Sequence, residues 1–307
     1  MLARTDPVVV WLLEAGDPAV RALTRRDLLG RPSSREAALS SPLVRALLAD
    51  PSGTHPYAKW SGAHWRLVSL VELGVPAGQP EAVAACDSVL THWARRERLS
   101  QVPVVGGRAR RCASQEGNAV AVASRLGLAR DQRVALLVEH LLAWQWPDGG
   151  WNCDPRPEAR HSSFHETLPA LWGLHEFRAA TGETACDTAV HAASELLLQH
   201  QVIYSRRTRQ PIHPTFVQPH YPPYWHYDVL QALLVLGRAG FQADPRTVRA
   251  RQTLSARRRK DGRWRAVRPW WRAPAGEGGG VEAVDWADTA HQMVTLNALR
   301  VGANQDE

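Results

Sequence analysis

The sequence has 307 residues, a formal net charge of +7 and four cysteines without a C-x-x-C pair, which argues against a disulfide framework and a zinc finger. No linker-like stretch divides the chain, so one domain spanning residues 1–307 is expected. No apolar run approaches the roughly 18 residues of a membrane-spanning helix and no signal peptide is recognisable, which predicts a soluble, cytoplasmic protein without a transmembrane segment.

Helical periodicity predicts alternating inner and outer helices along the chain. Residues 1–50 carry two short amphipathic helices, interpreted as N-terminal capping helices. Segments that are nearly apolar on all sides are predicted to be inner helices: 62–74, 115–127, 163–175, 225–237 and 288–302. The amphipathic segments between them are predicted to be outer helices: 80–99, 130–145, 183–201 and 245–259.

The longest irregular connection is predicted at residues 202–224, immediately before Trp225. Ordered loops of this length are uncommon unless they are functional. We therefore expect a lid that places Tyr221, Tyr224 or Trp225 against a bound ligand. The basic runs at 205–209 and 257–260 are interpreted as solvated faces, so nucleic-acid binding is not expected.

The predicted helices form a repeat. The inner segments align on a C-terminal glycine at Gly74, Gly127, Gly237 and Gly302, with His175 in that register for the third copy. Their spacing of roughly 50 to 65 residues indicates a solenoid or a closed array of helical hairpins.

One hairpin turn carries a recognisable motif, since Gln145, Gly149 and Trp151 match a Q-x-x-x-G-x-W repeat that returns in degraded form at Asp261 to Trp264. The chain thereby resembles the α/α-toroid superfamily of squalene and terpene cyclases and protein prenyltransferase β-subunits. Within it, residues 146–171 and 221–228 are similar to small single-domain squalene-cyclase-like bacterial proteins. The resemblance implies an all-α toroid, in which parallel inner helices are surrounded by outer helices, and an enzyme acting on a hydrophobic small molecule in a central cavity.

The chain departs from that superfamily at two motifs. Class II cyclases use a D-x-D-D motif, whereas the nearest match here, Asp285 to Asp288, lacks the paired middle carboxylate, so squalene cyclisation is not expected. The zinc-binding Asp-x-Cys of prenyltransferases is replaced by His161-Ser-Ser163, although Asp288 to His291 is similar to the His-bearing part. Zinc or another divalent metal remains open as a cofactor, and its candidate ligands would be His161, His226, Asp228 and His291.

Polar residues recur in phase with the glycine register. His226 and His291 fall eleven residues before it, and His64 and His165 fall ten residues before it. Asn118, Glu166 and Asp228 share the next position, and Asp288 lies about one turn earlier than His291. If the inner helices are parallel, these residues ring one mouth of the cavity, where acid/base or metal chemistry needs them.

Two sets of site residues follow from the ring, the lid and the aromatic content. The candidate catalytic residues are His165, Glu166, His226, Asp228, Asp288 and His291. The candidate substrate-binding residues are His64, Asn118, Tyr224, Trp225 and Trp286. Further tryptophans, Trp270 and Trp271 among them, are candidates to line an aromatic cavity.

Each candidate also has a structural interpretation. Ser163 to Glu166 is a formal capping box, and Asp288 is a candidate N-cap. Cys153 has no spacing partner and is interpreted as a buried structural thiol. A non-catalytic toroid that binds a ligand or docks a partner is the alternative function, and histidines engaged in backbone hydrogen bonds would favour it. The substrate, the reaction class and the oligomeric state are not predicted.

Overall fold

The computed structural model describes residues 4–49, 54–267 and 282–302, apart from the side chain of Arg35. Trp270 and Trp271 lie outside these residues. The described part of the chain is mostly helical, which confirms the all-α class. Its one sheet is a hairpin in which β1 (Val104–Val105) pairs antiparallel with β2 (Arg108–Ala109).

Four short helices form the N-terminal segment: α1 (Pro7–Leu13), α2 (Pro18–Asp27), α3 (Arg35–Leu39) and α4 (Pro42–Leu48). Three of them begin with proline at the first helical position, where its missing N–H costs no hydrogen bond. The preceding Asp6, Asp17 and Ser41 accept hydrogen bonds from the first free backbone N–H groups. Local sequence therefore fixes where these helices start.

Five helices are buried on nearly all sides: α5 (Ala63–Glu72), α8 (Ala113–Arg125), α10 (Phe164–Thr181), α12 (Val229–Arg238) and α14 (Ala287–Arg300). The other five bury one face: α6 (Pro80–Trp93), α7 (Arg96–Ser100), α9 (Gln132–Trp144), α11 (Asp187–Gln199) and α13 (Val248–Ser255). Four of the one-faced helices pack on a fully buried neighbour: α6 on α5, α9 on α8, α11 on α10 and α13 on α12. The predicted alternation of buried and amphipathic helices is observed.

Two buried helices differ from their predicted limits. The third, α10, continues past His175 to Thr181 and ends at Gly182, whose φ of 79° is left-handed. The fourth, α12, begins at Val229 instead of 225 because Asp228 has extended backbone and its side chain accepts a hydrogen bond from Gln231 N–H. Capping thus overrides the register alignment at this point.

The two motif turns have the same anchoring contacts. The Trp151 indole donates to Leu141 O at 2.9 Å, and its backbone N–H donates to the Thr167 hydroxyl at 3.3 Å. The Trp264 indole donates to Leu254 O at 2.8 Å, and its backbone N–H donates to the Thr295 hydroxyl at 3.1 Å. Both tryptophans therefore join an outer helix to the next buried helix, and they pack turns instead of lining a cavity.

The closest helix pair is α8 and α10. A Cβ added to Gly117 would lie 2.4 Å from Pro169 O, and one added to Gly173 would lie 2.4 Å from Gly117 O. The two backbones approach this closely only because both positions lack a side chain. The same contact holds the starts of the two helices next to each other.

The N-terminal helices contact both ends of the array. α4 packs on α5, α2 packs on α14, and α14 packs on α12. Arg300 of α14 forms an ion pair with Asp27 of α2. None of the helices in the described part of the chain combines the length and apolarity needed to cross a membrane.

Candidate functional site

The starts of the buried helices are linked by side-chain hydrogen bonds. Asn118 Nδ2 of α8 donates to Tyr224 O at 3.0 Å, just before α12. His165 Nδ1 of α10 accepts from Tyr227 N–H at 3.0 Å, and the Glu166 carboxylate accepts from Ser114 N–H at 2.9 Å. Four predicted site residues, Asn118, His165, Glu166 and Tyr224, thus lie in one region.

Other predicted residues lie outside this region. His161 and Asp288 are exposed, and His291 Nδ1 accepts a hydrogen bond from Ala266 N–H at 3.1 Å. The proposed metal ligands His161, His226, Asp228 and His291 are not brought together: among the described residues, the one group of ligand atoms close enough for a metal is formed by other residues. These four side chains therefore do not form a metal site, since their ligand atoms do not lie close enough to one another for a single ion.

Both capping alternatives are also corrected. Ser163 makes no side-chain cap hydrogen bond, and Glu166 turns away from its own helix to accept from Ser114 N–H. Asp288 is not the N-cap of α14, since Trp286 occupies that position and Asp285 accepts from Ala287 N–H at 3.0 Å. Glu166 thus connects α8 to α10 instead of closing its own first turn.

Burial keeps the predicted histidines neutral. It lowers the pKa of His64 to about 3, of His165 to about 4 and of His226 to about 2, and it also lowers the pKa of His291. His64 Nδ1 accepts from the Trp93 indole at 3.1 Å. In His64, His165 and His291 the accepting Nδ1 leaves the proton on Nε2. None of them is a cationic acid at neutral pH.

An aromatic cluster, defined by Trp60, Trp65, Tyr224, Trp225 and His226, lies beside Asn118. Trp60 stacks on Tyr224 with ring centroids 4.7 Å apart and an interplanar angle of 4°. Trp225 stacks on His226 at 4.4 Å. The Lys59 ammonium lies 5.3 Å from the Trp60 ring centroid and 5.2 Å from that of Trp225. Tyr224 and Trp225 therefore belong to the same cluster as His226, and the lid over a ligand stays a prediction.

The Tyr224 hydroxyl donates to the carboxylate of Glu282, which is only 2% exposed. Burial raises the pKa of Glu282 to about 7, although hydrogen bonds from Tyr224 and Trp286 lower it. Trp286, a predicted substrate-binding residue, is fully buried beside this pair. Sequence reasoning missed Glu282 because it stands 58 residues from Tyr224, outside any helical period.

Asp228 has a structural role. Its carboxylate contacts His220 Nδ1 and accepts from the backbone N–H groups of His220 and Gln231, both at 2.9 Å. His220 Nε2 lies 3.2 Å from Pro223 O. Asp228 and His220 are both buried, so this pair fixes the loop before α12 and thereby positions Tyr224 and His226.

Two cavities lie along the buried helices. A small cavity of about 30 Å³, enough for one or two water molecules, is lined by Asn118, Tyr224 and His226. Asn118 Oδ1, buried in this lining, has no protein partner among the described residues. An open cavity of about 330 Å³ lies at the helix C-terminal ends, and the Glu72–Arg238 ion pair borders both cavities. The other charged residues that line the open cavity are Arg26, Asp27, Arg125 and Arg300.

A second polar cluster contains Cys112, Cys153 and Glu166, whose ligand atoms all lie within 4.8 Å of one another. Cys112 is the N-cap residue of α8, and Cys153 follows the Trp151 turn. The contact with Cys153 holds the pKa of Cys112 below its ordinary value, and burial raises the pKa of Glu166. Cys153, interpreted from the sequence as a buried structural thiol, is only half-buried and lies beside Cys112, at a sequence distance that no motif predicts.

Comparison of the chain with protein-family models, with curated proteins and with solved structures found no match.

Proposed function

We propose that the chain is an α/α-toroid enzyme that holds a hydrophobic small molecule against the aromatic cluster and transforms it by acid/base chemistry. Three features support the toroid. Buried and one-faced helices alternate, neighbouring buried helices pack in chain order from α8 to α14, and the N-terminal helices contact both α5 and α14. An array whose first and last members share neighbours is what a closed ring of hairpins requires.

The observation that carries the function is the buried pair of Tyr224 and Glu282. A carboxyl group with a pKa of about 7 is both a proton donor and a proton acceptor at neutral pH. Tyr224, whose hydroxyl donates to Glu282, also lines the small cavity, where neutral His226 is a second acceptor. Glu282 and His226 are thus two titratable groups whose burial moves their pKa values in opposite senses.

The residues of the aromatic cluster suit a reaction in which positive charge develops on a hydrophobic substrate. The Lys59 ammonium lies over the Trp60 and Trp225 rings, which supports cation binding by this cluster, and such an interaction strengthens when water is excluded. Asn118 Oδ1 supplies a hydrogen-bond acceptor for a bound polar group. Cyclisation, isomerisation and group transfer all use these features.

The substrate would reach the aromatic cluster through the open cavity. Its volume of about 330 Å³ lies in the range of small-molecule pockets, whereas about 30 Å³ does not. Opening the Glu72–Arg238 pair would join the two spaces. The arginines at the open end favour a substrate with an anionic group at one end of a hydrophobic body.

A non-catalytic binding toroid is the second candidate. It is favoured by the hydrogen bonds that His165 and His291 accept from backbone N–H groups and that His64 accepts from Trp93. These bonds give a structural role to two predicted catalytic residues, His165 and His291, and to the predicted substrate-binding residue His64. The two candidate functions differ in the role of Glu282. An enzyme needs its carboxyl group to gain and lose a proton, whereas a binding protein does not.

The test compares wild-type protein with the Glu282→Gln and Tyr224→Phe variants. Each is incubated with a small-molecule extract and a panel of isoprenoid diphosphates, and substrate consumption is followed by mass spectrometry. We expect compounds that wild type consumes and that both folded variants spare. Glu195→Gln, at an exposed ion pair, serves as the matched control and should retain consumption. Binding of a compound without its conversion by any of the four proteins would favour the binding toroid and reject the enzyme.

A further inference from the structure

We propose that Cys112, Cys153 and Glu166 form a zinc-binding site. It involves none of the histidines of the predicted ring, and it stands independently of the proposed function. The site lies at the starts of α8 and α10, beside the turn that follows Trp151.

The distances fit tetrahedral zinc. Zinc bonds of about 2.3 Å to sulfur and about 2.0–2.2 Å to oxygen place neighbouring ligand atoms about 3.3–3.8 Å apart. Cys153 Sγ lies 3.6 Å from Glu166 Oε1, and all three ligand atoms lie within 4.8 Å of one another. Side-chain movements of about 1 Å would complete the three-ligand arrangement.

The site is built on fixed backbone. Arg111 N–H donates to Asn152 O at 3.1 Å, which holds the segment that carries Cys153 against the start of α8. Ser163 N–H donates to Trp151 O at 2.8 Å on the other side. Ser114 N–H orients the Glu166 carboxylate at 2.9 Å, as the outer hydrogen bonds of a metal ligand do. All three ligands therefore come from segments that are bonded to one another.

A second observation independently points to a cation. Glu116 is fully buried, its Oε1 is paired with Arg111, and its Oε2 has no protein partner among the described residues. Glu116 adds to the negative potential at Cys112 and at Glu166. A divalent ion beside these two buried carboxylates would add to the positive charge that Arg111 provides.

The ligand set selects the metal. Magnesium and calcium take oxygen ligands, whereas two thiolates with one carboxylate suit zinc. Three protein ligands leave a fourth position for water or for a substrate, the arrangement of zinc sites that take part in chemistry. A plain disulfide between Cys112 and Cys153 would leave Glu166 and the free Glu116 oxygen without a cation.

The experiment measures zinc in the full chain under a phosphine reductant. The protein is stripped with a chelator, reloaded with zinc, freed of excess metal by gel filtration and analysed by mass spectrometry of the elements. We expect about one zinc per wild-type chain and less than about 0.2 in Cys153→Ser and in Glu166→Gln, because each variant loses a ligand. Cys186→Ala, a buried thiol elsewhere, should bind as wild type does.

Cobalt substitution, together with unfolding of the metal-free variants, shows whether a variant has lost a metal ligand or has failed to fold. Cobalt-loaded wild type should show a thiolate-to-cobalt charge-transfer band, and Cys153→Ser, which loses the site, should show less than about a fifth of its intensity. Thermal unfolding of each variant without metal shows whether it folds. Wild type that keeps less than about 0.2 zinc after reloading, or folded variants that bind as much zinc as wild type, would overturn the proposal.

Discussion

At the scale of single residues, the buried titratable groups of the aromatic cluster have opposite effects on stability. His226 is neutral when folded, so acid that protonates the unfolded chain below pH 6.5 favours unfolding. Glu282 binds its proton more tightly when folded, since its pKa is about 7 against an ordinary 4.5, so the same acid favours folding. In wild type, these two pH dependences of the unfolding free energy therefore cancel in part.

Single replacements should uncover each of these dependences. Between pH 7 and pH 5.5, Glu282→Gln should lose about 1 kcal/mol more unfolding free energy than wild type, and His226→Gln about 1 kcal/mol less. The signs follow because folding raises the pKa of Glu282 and lowers the pKa of His226. Urea denaturation of both variants and wild type across this range measures the slopes. Parallel curves for all three proteins would show that neither group titrates as described.

The Glu72–Arg238 pair gives a second residue-scale prediction. Burial alone would raise the pKa of Glu72, but the charge of Arg238 outweighs it and leaves a value of about 2. Arg238→Met should cost about 1–3 kcal/mol at pH 7, below the usual cost of breaking a buried pair because 25% of the Arg238 side chain is exposed. The pair stabilises the fold above pH 4.5 and loses this contribution toward pH 2, so the deficit of the variant should shrink in acid.

The control is Arg246→Met, since Arg246 pairs with Glu195 where both side chains are at least a third exposed. Such a pair contributes about 0–1 kcal/mol. Chemical denaturation at pH 7 and pH 4 compares the two variants. Equal and small losses for both would mean that the buried pair does not hold the base of the open cavity together.

At the scale of helices, the contact of α8 with α10 depends on two glycines. Gly117→Ala should cost about 1–3 kcal/mol or more, because its Cβ would overlap Pro169 O and neither backbone has room to move. Gly237→Ala, inside α12, is the matched control. Its Cβ would lie 3.9 Å from the nearest side-chain atom, so this variant should gain about 0.5–1 kcal/mol from helix propensity. Urea midpoints of the two variants should move in opposite directions, and a shift of both the same way would contradict this packing.

The helices themselves were predictable from periodicity, capping and glycine. Gly74, Gly127 and Gly302 have φ of 83°, 88° and 73° and follow helix ends as predicted. Gly237 does not, because α12 runs one residue past it and the left-handed position falls at Gly240. Aligning helices on a glycine in the sequence therefore fails where a second glycine follows within one turn, because that second glycine takes the left-handed position.

The site was less predictable than the helices. His165, Asn118 and Tyr224 could be placed near one another because they stand at helix starts in one phase. The contact of Glu282 with Tyr224 and that of Cys112 with Cys153 could not be predicted. Such contacts depend on how loops fold back and leave no periodic pattern in the sequence. Glu166 was misassigned to its own helix because a capping box and a contact to the next helix use the same residue type.

At the scale of the molecule, residues 4–49 do more than cover one end. Their helices contain eight buried valine and leucine side chains: Val8, Val9, Leu12, Val20, Leu23, Leu28, Val44 and Leu47. They contact α5, α14 and the Trp264 turn, where the Arg263 guanidinium lies 4.2 Å from the Trp11 ring centroid. The segment therefore belongs to the core.

Removing residues 1–49 should abolish cooperative unfolding. The eight side chains contribute about 1.5–3 kcal/mol each, about 12–24 kcal/mol together, which is as large as the roughly 5–15 kcal/mol that typically separates folded from unfolded chains. Calorimetry and near-ultraviolet circular dichroism of the shortened chain measure the loss. Arg207→Ala, at an exposed position, should unfold as wild type does. A shortened chain that melts in one sharp transition would restore the interpretation of this segment as a dispensable cap.

The ion pair of Asp27 with Arg300 joins residues 273 positions apart, and this separation bears on the order of synthesis. On the ribosome, α2 is made early and packs on α1 and α3, but its contact with α14 forms only when that helix emerges as the last of the described helices. The nascent chain therefore carries an open interior through most of its translation. A hydrophobic ligand present in that period would meet the aromatic cluster before the final helix closes over it, and a translational pause before residue 287 would lengthen this period.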